Sequence, residues 1–167
     1  MKVVIACLNS KYVHASLSPW CLLAGVREFA KNAYDTLVME STINGDGESF
    51  AQKIINEKPD VVAFSCYIWN ISKTLEVCRI IKSNHECKIV LGGPEVEYRP
   101  KDVLEKYDFA DFVLSGEGEW TFLLAPKLEP NGTDLVPVYP EEPFAYIARL
   151  KKAYLVKQNR KIGIVIQ

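Results

Sequence analysis

Residues 58–98 read KPDVVAFSCYIWNISKTLEVCRIIKSNHECKIVLGGPEVEY, two apolar runs on either side of a helical pattern. "VVAFSCY" (61–67) and "KIVLGG" (88–93) are short, rich in β-branched and other apolar residues, and nearly continuous rather than alternating. Runs of that kind fit strands covered on both faces, as in a parallel sheet. Between them Ile71, Leu75, Cys78 and Ile81 recur at helical spacing, with Asn70 placed to cap the first turn. Two buried strands joined by a helix make the parallel crossover unit, so the stretch predicts an α/β architecture.

The pattern extends in both directions. "KVVIACL" (2–8), "TLVME" (36–40) and "FVLSG" (112–116) are further strand-like runs. The segments between them have helical period: Leu22, Val26 and Phe29 share a face in "SPWCLLAGVREFAKN", as do Phe50, Ile54 and Ile55 in "SFAQKIINEK". A last helix is expected at about 117–128 in "GEGEWTFLLAPKL". Five strands end before residue 117, which favours a flavodoxin-like order, 2-1-3-4-5, over the six-stranded dinucleotide order. The expected fold is a three-layer Rossmann-like sandwich around a five-stranded parallel sheet. Ligands of such sheets bind outside the strand carboxyl ends, where Ser65, Gly92 and Gly116 should gather.

From about residue 130 the character changes. "EPNGTDLVPVYPEEP" (129–143) carries five prolines or glycines in fifteen residues, the mark of an extended linker. "FAYIARLKKAYLVKQNRK" (144–161) follows as a basic helix candidate, and "IGIVIQ" stops as though a strand had been cut. The expected division is an α/β domain over 1–129 and, over 130–167, a linker with a truncated or non-native tail.

A chain of 167 residues is long enough for one such core. Net charge is −1, so no global basic field points to nucleic acid or an anionic membrane, and a ligand must be recognised locally. The Met-Lys start enters an apolar strand without the features of a signal peptide, and the apolar runs fall far short of a bilayer span, so a cytoplasmic address is expected. Cys7, Cys21, Cys66, Cys78 and Cys87 are odd in number and lie in strand or helix patterns, which predicts reduced, mostly buried thiols. Their spacing matches neither a zinc site nor an iron–sulfur cluster, and no metal-ligating residue is assigned.

The four loops at the predicted carboxyl edge are richer than connections require. They are "NSKYVHASLS", "SCYIWNIS", "GGPEVEYRP" and "GEGEW". Turn chemistry is the competing reading for each, since Gly, Pro, Asn and Ser belong in such loops. Gly92 and Gly93 before Pro94 would let backbone approach a bulky ligand closely. Tyr67 and Trp69 could cover an aromatic ligand or pack on a neighbouring domain or helix. "GEGE" (Gly116, Glu117, Gly118) could offer helix-start amides, although its carboxylates would repel a phosphate. No glycine follows the first strand, so a dinucleotide fingerprint is absent.

Taken together, "LNSKYVHASLSPWCL", "TIN", "FSCYIWNI", "VLGGPEVEY" and "SGEGEWTF" resemble the N-terminal cobalamin-binding domain of cobalamin-dependent radical SAM enzymes, over roughly residues 1–128. The resemblance implies a cobalamin held at the strand ends. It also implies a downstream barrel with an iron–sulfur cluster and S-adenosylmethionine. Ser65 and Tyr67 stand where the family contacts the nucleotide tail, and Gly92 and Gly93 match its Gly-Gly pair beside that tail. The cofactor-binding residues so implied are Asn9, Lys11, Tyr12, His14, Ser65, Tyr67, Trp69, Asn70, Gly92, Gly93, Pro94, Gly116, Glu117 and Gly118.

The first loop departs from the methionine-synthase-like pattern Asp-x-His-x-x-Gly. His14 is present, but Tyr12 stands in the Asp position and Leu17 in the Gly position. His14 without that carboxylate has three open roles: cobalt ligand, non-ligating pocket residue, or plain loop residue. The leading expectation is a corrinoid-binding module, itself without catalytic residues, serving a radical SAM domain in the intact protein. The rivals are a flavodoxin-like nucleotide-binding enzyme and a docking domain that no longer binds cobalamin.

Overall fold

The structure is a computed structural model that describes residues 1–11, 15–30, 34–115, 118, 122, 153–158 and 161–166. Its strands are β1 (Lys2–Asn9), β2 (Asp35–Thr42), β3 (Val61–Ser65), β4 (Lys88–Gly92) and β5 (Phe112–Ser115). The helices between them are α1 (Ser18–Phe29), α2 (Gly47–Asn56), α3 (Ile71–Asn84) and α4 (Pro100–Lys106). The five strands are all parallel and stand in the expected order, 2-1-3-4-5.

Alternation along the buried strands explains the two layers. Val62 and Phe64 of β3 join Ile89 and Leu91 of β4 in a core with Phe50, Ile54, Leu75, Cys78 and Ile81 from α2 and α3. Val61 and Ala63 face the other way, with Val90, Phe112 and Leu114, toward Leu23 and Val26 of α1. Each large aliphatic side chain so removed from water contributes roughly 1.5–3 kcal/mol before conformational entropy is counted. At the amino edge the Lys82 ammonium donates to the Cys87 carbonyl at 2.7 Å and pairs with Asp111 at 2.6 Å. Asp111 also accepts from the Ile89 amide at 2.7 Å, which ties α3 to β4 and β5.

The sheet continues past the fifth strand. β6 (Ala153–Gln158) and β7 (Lys161–Ile166) pair as an antiparallel hairpin, and β7 lies parallel to β5. The basic helix expected over 144–161 is therefore corrected at 153–158, which is strand. The aromatic and branched residues of "AYLVKQ" suit a strand, and the neighbouring "KIGIVI" supplies its ladder. The linker over 129–143 lies outside the described residues, as does most of the helix expected at 117–128, of which Gly118 and Phe122 are helical.

Candidate functional site

The carboxyl edge of β3, β4 and β5 carries the site. Ser65 pairs with Gly92 across β3 and β4, and Gly92 with Leu114 across β4 and β5. On the sheet face beneath α1 the last positions are small: Ala63, Ser65 and Gly92. With α1 lying over them, these residues leave a slot of about 150 Å³ between sheet and helix. Ser18 and Leu22 of α1, Val90, Leu114 and Phe122 complete its walls. Two serines meet here: the Ser18 and Ser65 hydroxyls share a 2.5 Å hydrogen bond that joins α1 to the end of β3.

The two glycines of "VLGGPE" do different work. A Cβ on Gly92 would stand 3.8 Å from Leu114 Cβ, an ordinary contact, so the protein could accept a side chain here and the slot would be what it filled. Gly93 has φ +99°, and a Cβ on it would come within 2.7 Å of the Cys66 carbonyl oxygen. Only glycine suits that position. The tight approach is bonded as well: the Cys66 amide donates to the Gly92 carbonyl at 2.7 Å, and the Gly93 carbonyl accepts from Val96 and Glu97, each at 3.1 Å.

Asn70 occupies the N-cap position of α3, but its side chain makes no capping bond. It is 1% exposed. Its Nδ2 donates to the Leu8 carbonyl at the end of β1 and to the Ser65 carbonyl at the end of β3, each at 3.1 Å. Its Oδ1 accepts from the Tyr67 amide at 2.8 Å. Asn70 thus supports the edge from beneath instead of lining its surface. Tyr67 and Trp69, just above, stack face to face with ring centroids 4.6 Å apart and an interplanar angle of 5°. Trp69 remains half exposed, and Leu17 and Trp20 at the start of α1, Ile68 after β3 and Tyr98 after β4 are exposed as well.

Asn9 ends β1 and holds the first loop: its Oδ1 accepts from the Ser16 amide at 3.0 Å, and its Nδ2 donates to Glu40 at 3.0 Å. Lys11 and Pro94 are exposed. Ser65, Gly92, Gly93 and Gly118 of the expected set are together at the slot, while Asn9 and Lys11 belong to the neighbouring β1 loop. Tyr12, His14, Gly116 and Glu117 lie outside the described residues. Sequence reasoning missed Ser18, Leu22, Ala63, Leu114 and Phe122. The available signal was Ala63, a small residue inside an otherwise bulky buried strand.

Burial pushes the Cys66 thiol up to about 12 and the Cys87 thiol up to about 11, and it raises Cys7 and Cys78 as well. These are inert core thiols rather than nucleophiles. Among the described residues, no three or more His, Cys, Asp or Glu side chains gather to hold a metal ion, and no helix is long and apolar enough to cross a membrane.

Comparison with known proteins fits this geometry. The family model described as "B12 binding domain" matches residues 2–125. The chain belongs to the B12 binding domain family. Among curated relatives, the 2-(S-pantetheinyl)-carbapenam-3-carboxylate methyltransferase of Streptantibioticus cattleyicolor is 36% identical over 100 residues, covering 50% of this chain and 15% of that protein. The cobalamin-dependent radical SAM methyltransferase TokK of Streptomyces tokunonensis is 32% identical over 112 residues, covering 65% and 16%. Among solved structures, the cobalamin-dependent S-adenosylmethionine radical enzyme OxsB, with aqua-cobalamin and S-adenosylmethionine bound, superposes with a TM-score of 0.64 at 16% identity. That likeness covers 75% of this chain and 18% of OxsB. The radical S-adenosylmethionine methyltransferase TsrM of Kitasatospora setae, with cobalamin and a [4Fe-4S] cluster bound, gives 0.61 at 15% identity, covering 75% and 24%. This B12 binding domain thus corresponds to a small part of each of these longer proteins.

Proposed function

We propose that this B12 binding domain holds a cobalamin across the carboxyl edge of its sheet, with the nucleotide tail in the slot beneath α1. The corrin would rest over the loops after β1, β3 and β4, to which Asn9, Lys11, Tyr67 and Trp69 belong. Gly92 is the observation that carries this reading: a position with room for a side chain is left without one, at the mouth of a slot. Ser18 and Ser65 would orient the tail by hydrogen bonding, and α1 and Phe122 would keep water from it. Bound cobalamin supplies a cobalt centre able to carry and pass on a methyl group, so the chain's own residues bind, orient and exclude water. The intact protein would be a radical SAM methyltransferase, with the iron–sulfur cluster and S-adenosylmethionine on a separate catalytic domain.

The test is retention of hydroxocobalamin through gel filtration, read at the corrin absorbance. Wild type should carry the pigment, and Gly92→Leu should lose it while its urea midpoint stays close to wild type. Gly93 is the wrong probe, because any side chain there strikes the Cys66 backbone. A folded wild type that carries no pigment would leave docking of a partner domain as the better account of the exposed aromatic rim.

A further inference from the structure

We infer that the slot selects the lower base of the cobamide, favouring an apolar benzimidazole over a purine. The inference rests on the reading above, that the nucleotide tail enters the slot, and follows from what lines it. Leu22, Ala63, Val90, Leu114 and Phe122 present hydrocarbon, and the slot measures about 150 Å³. An apolar cavity of about that volume takes one benzene-sized aromatic group. A bicyclic base would enter such a slot by one ring, and chemistry makes the choice among bases.

Several polar atoms around the slot are already committed. The Ser65 carbonyl accepts from Asn70, the Gly92 carbonyl from the Cys66 amide, and the Ser115 hydroxyl donates to the Glu97 carbonyl at 2.7 Å. Among the described wall residues the side-chain polar atoms are the Ser18 and Ser65 hydroxyls, which bond to each other. Dimethylbenzimidazole, attached through one ring nitrogen, brings a single further nitrogen and two methyl groups that suit the hydrocarbon wall. Adenine brings an exocyclic amine and additional ring nitrogens. One serine pair cannot satisfy them all, so the remainder would be stripped of water without replacement. A loss of that kind weakens binding by about 10- to 100-fold.

Three corrinoids distinguish the possibilities when bound to the full chain and followed by equilibrium dialysis. They are cobalamin, the same cobamide with adenine as lower base, and cobinamide, which lacks the nucleotide tail. Cobalamin should bind about 10- to 100-fold more tightly than the adenine cobamide. Gly92→Val should lower cobalamin to the level of cobinamide, with cobinamide binding unchanged as the sign that the fold is intact. Ala63→Ser, which adds one hydroxyl to the wall at little change in volume, should narrow the gap by strengthening the adenine cobamide. Equal affinity for the two bases, or a preference for adenine, overturns the selectivity and leaves corrinoid binding standing. Cobinamide binding as tightly as cobalamin removes the tail from the slot. Failure of all three to bind a folded chain overturns the proposed function itself.

Discussion

At the scale of a residue, Asn70 shows how much of the edge depends on one side chain. Three backbone groups from separate segments converge on its amide: the Leu8 and Ser65 carbonyls and the Tyr67 amide. Removing it orphans all three in a buried place, so Asn70→Ala should lower stability by about 2–4 kcal/mol. Asn70→Asp separates this role from helix capping. Aspartate caps as well as asparagine, but it cannot donate to two carbonyls and would set a carboxylate against them. Urea unfolding should therefore find the Asp variant at least as destabilised as Ala at neutral pH. A stable Asp variant would return Asn70 to an ordinary capping role. Asparagine before a helix reads in sequence as a cap, because the pattern of a local motif cannot reveal bonds made to a strand sixty residues away. Gly92 and Gly93 are a similar case. The pair was legible as a close approach, but only backbone angles divide it into one glycine required by the turn and one that leaves room.

At the scale of elements, the layer between the sheet and α2 and α3 is built on neutral thiols. Cys66 follows β3, Cys78 lies in α3 and Cys87 precedes β4, all buried. Burial raises each thiol, to about 12 for Cys66 and about 11 for Cys87. A thiol raised in the folded state keeps its proton there after the unfolded chain has lost it. Its contribution is thus complete below the unfolded value and declines as pH rises toward the folded one. Stability should be level through neutral pH and fall above about pH 8.5. Urea midpoints at successive pH values check this, and Cys66→Ala should flatten part of the fall. An unchanged midpoint between pH 7 and 10 would contradict it. The strands themselves were legible, since five apolar runs buried on both faces leave little choice of partner layer. β6 was not legible as a strand: "AYLVKQ" sits within a Lys- and Arg-rich stretch of helical period. Its pairing with β7 is a contact that local propensity does not encode.

At the scale of the molecule, the slot draws on β3, β4, β5 and α1, while the hairpin covers the outer edge of β5. Those two facts separate binding from solubility. A chain ending at residue 129, the expected domain boundary, keeps every described residue around the slot and should retain hydroxocobalamin. It also loses β7, so the backbone of Phe112–Ser115 is left without the neighbour it pairs with. An exposed parallel edge of buried, apolar sequence is a template for another chain. The shortened protein should therefore elute at an apparent size that grows with concentration, while the full chain does not. A Lys at Val113 should reduce that association only at a cost in stability, because Val113 is fully buried in the α3 layer. If the shortened chain stays monomeric at every concentration and unfolds at the full chain's temperature, the hairpin adds nothing to the edge it covers. If it loses the pigment while still folded, the tail supports the site, and the domain does not end at 129.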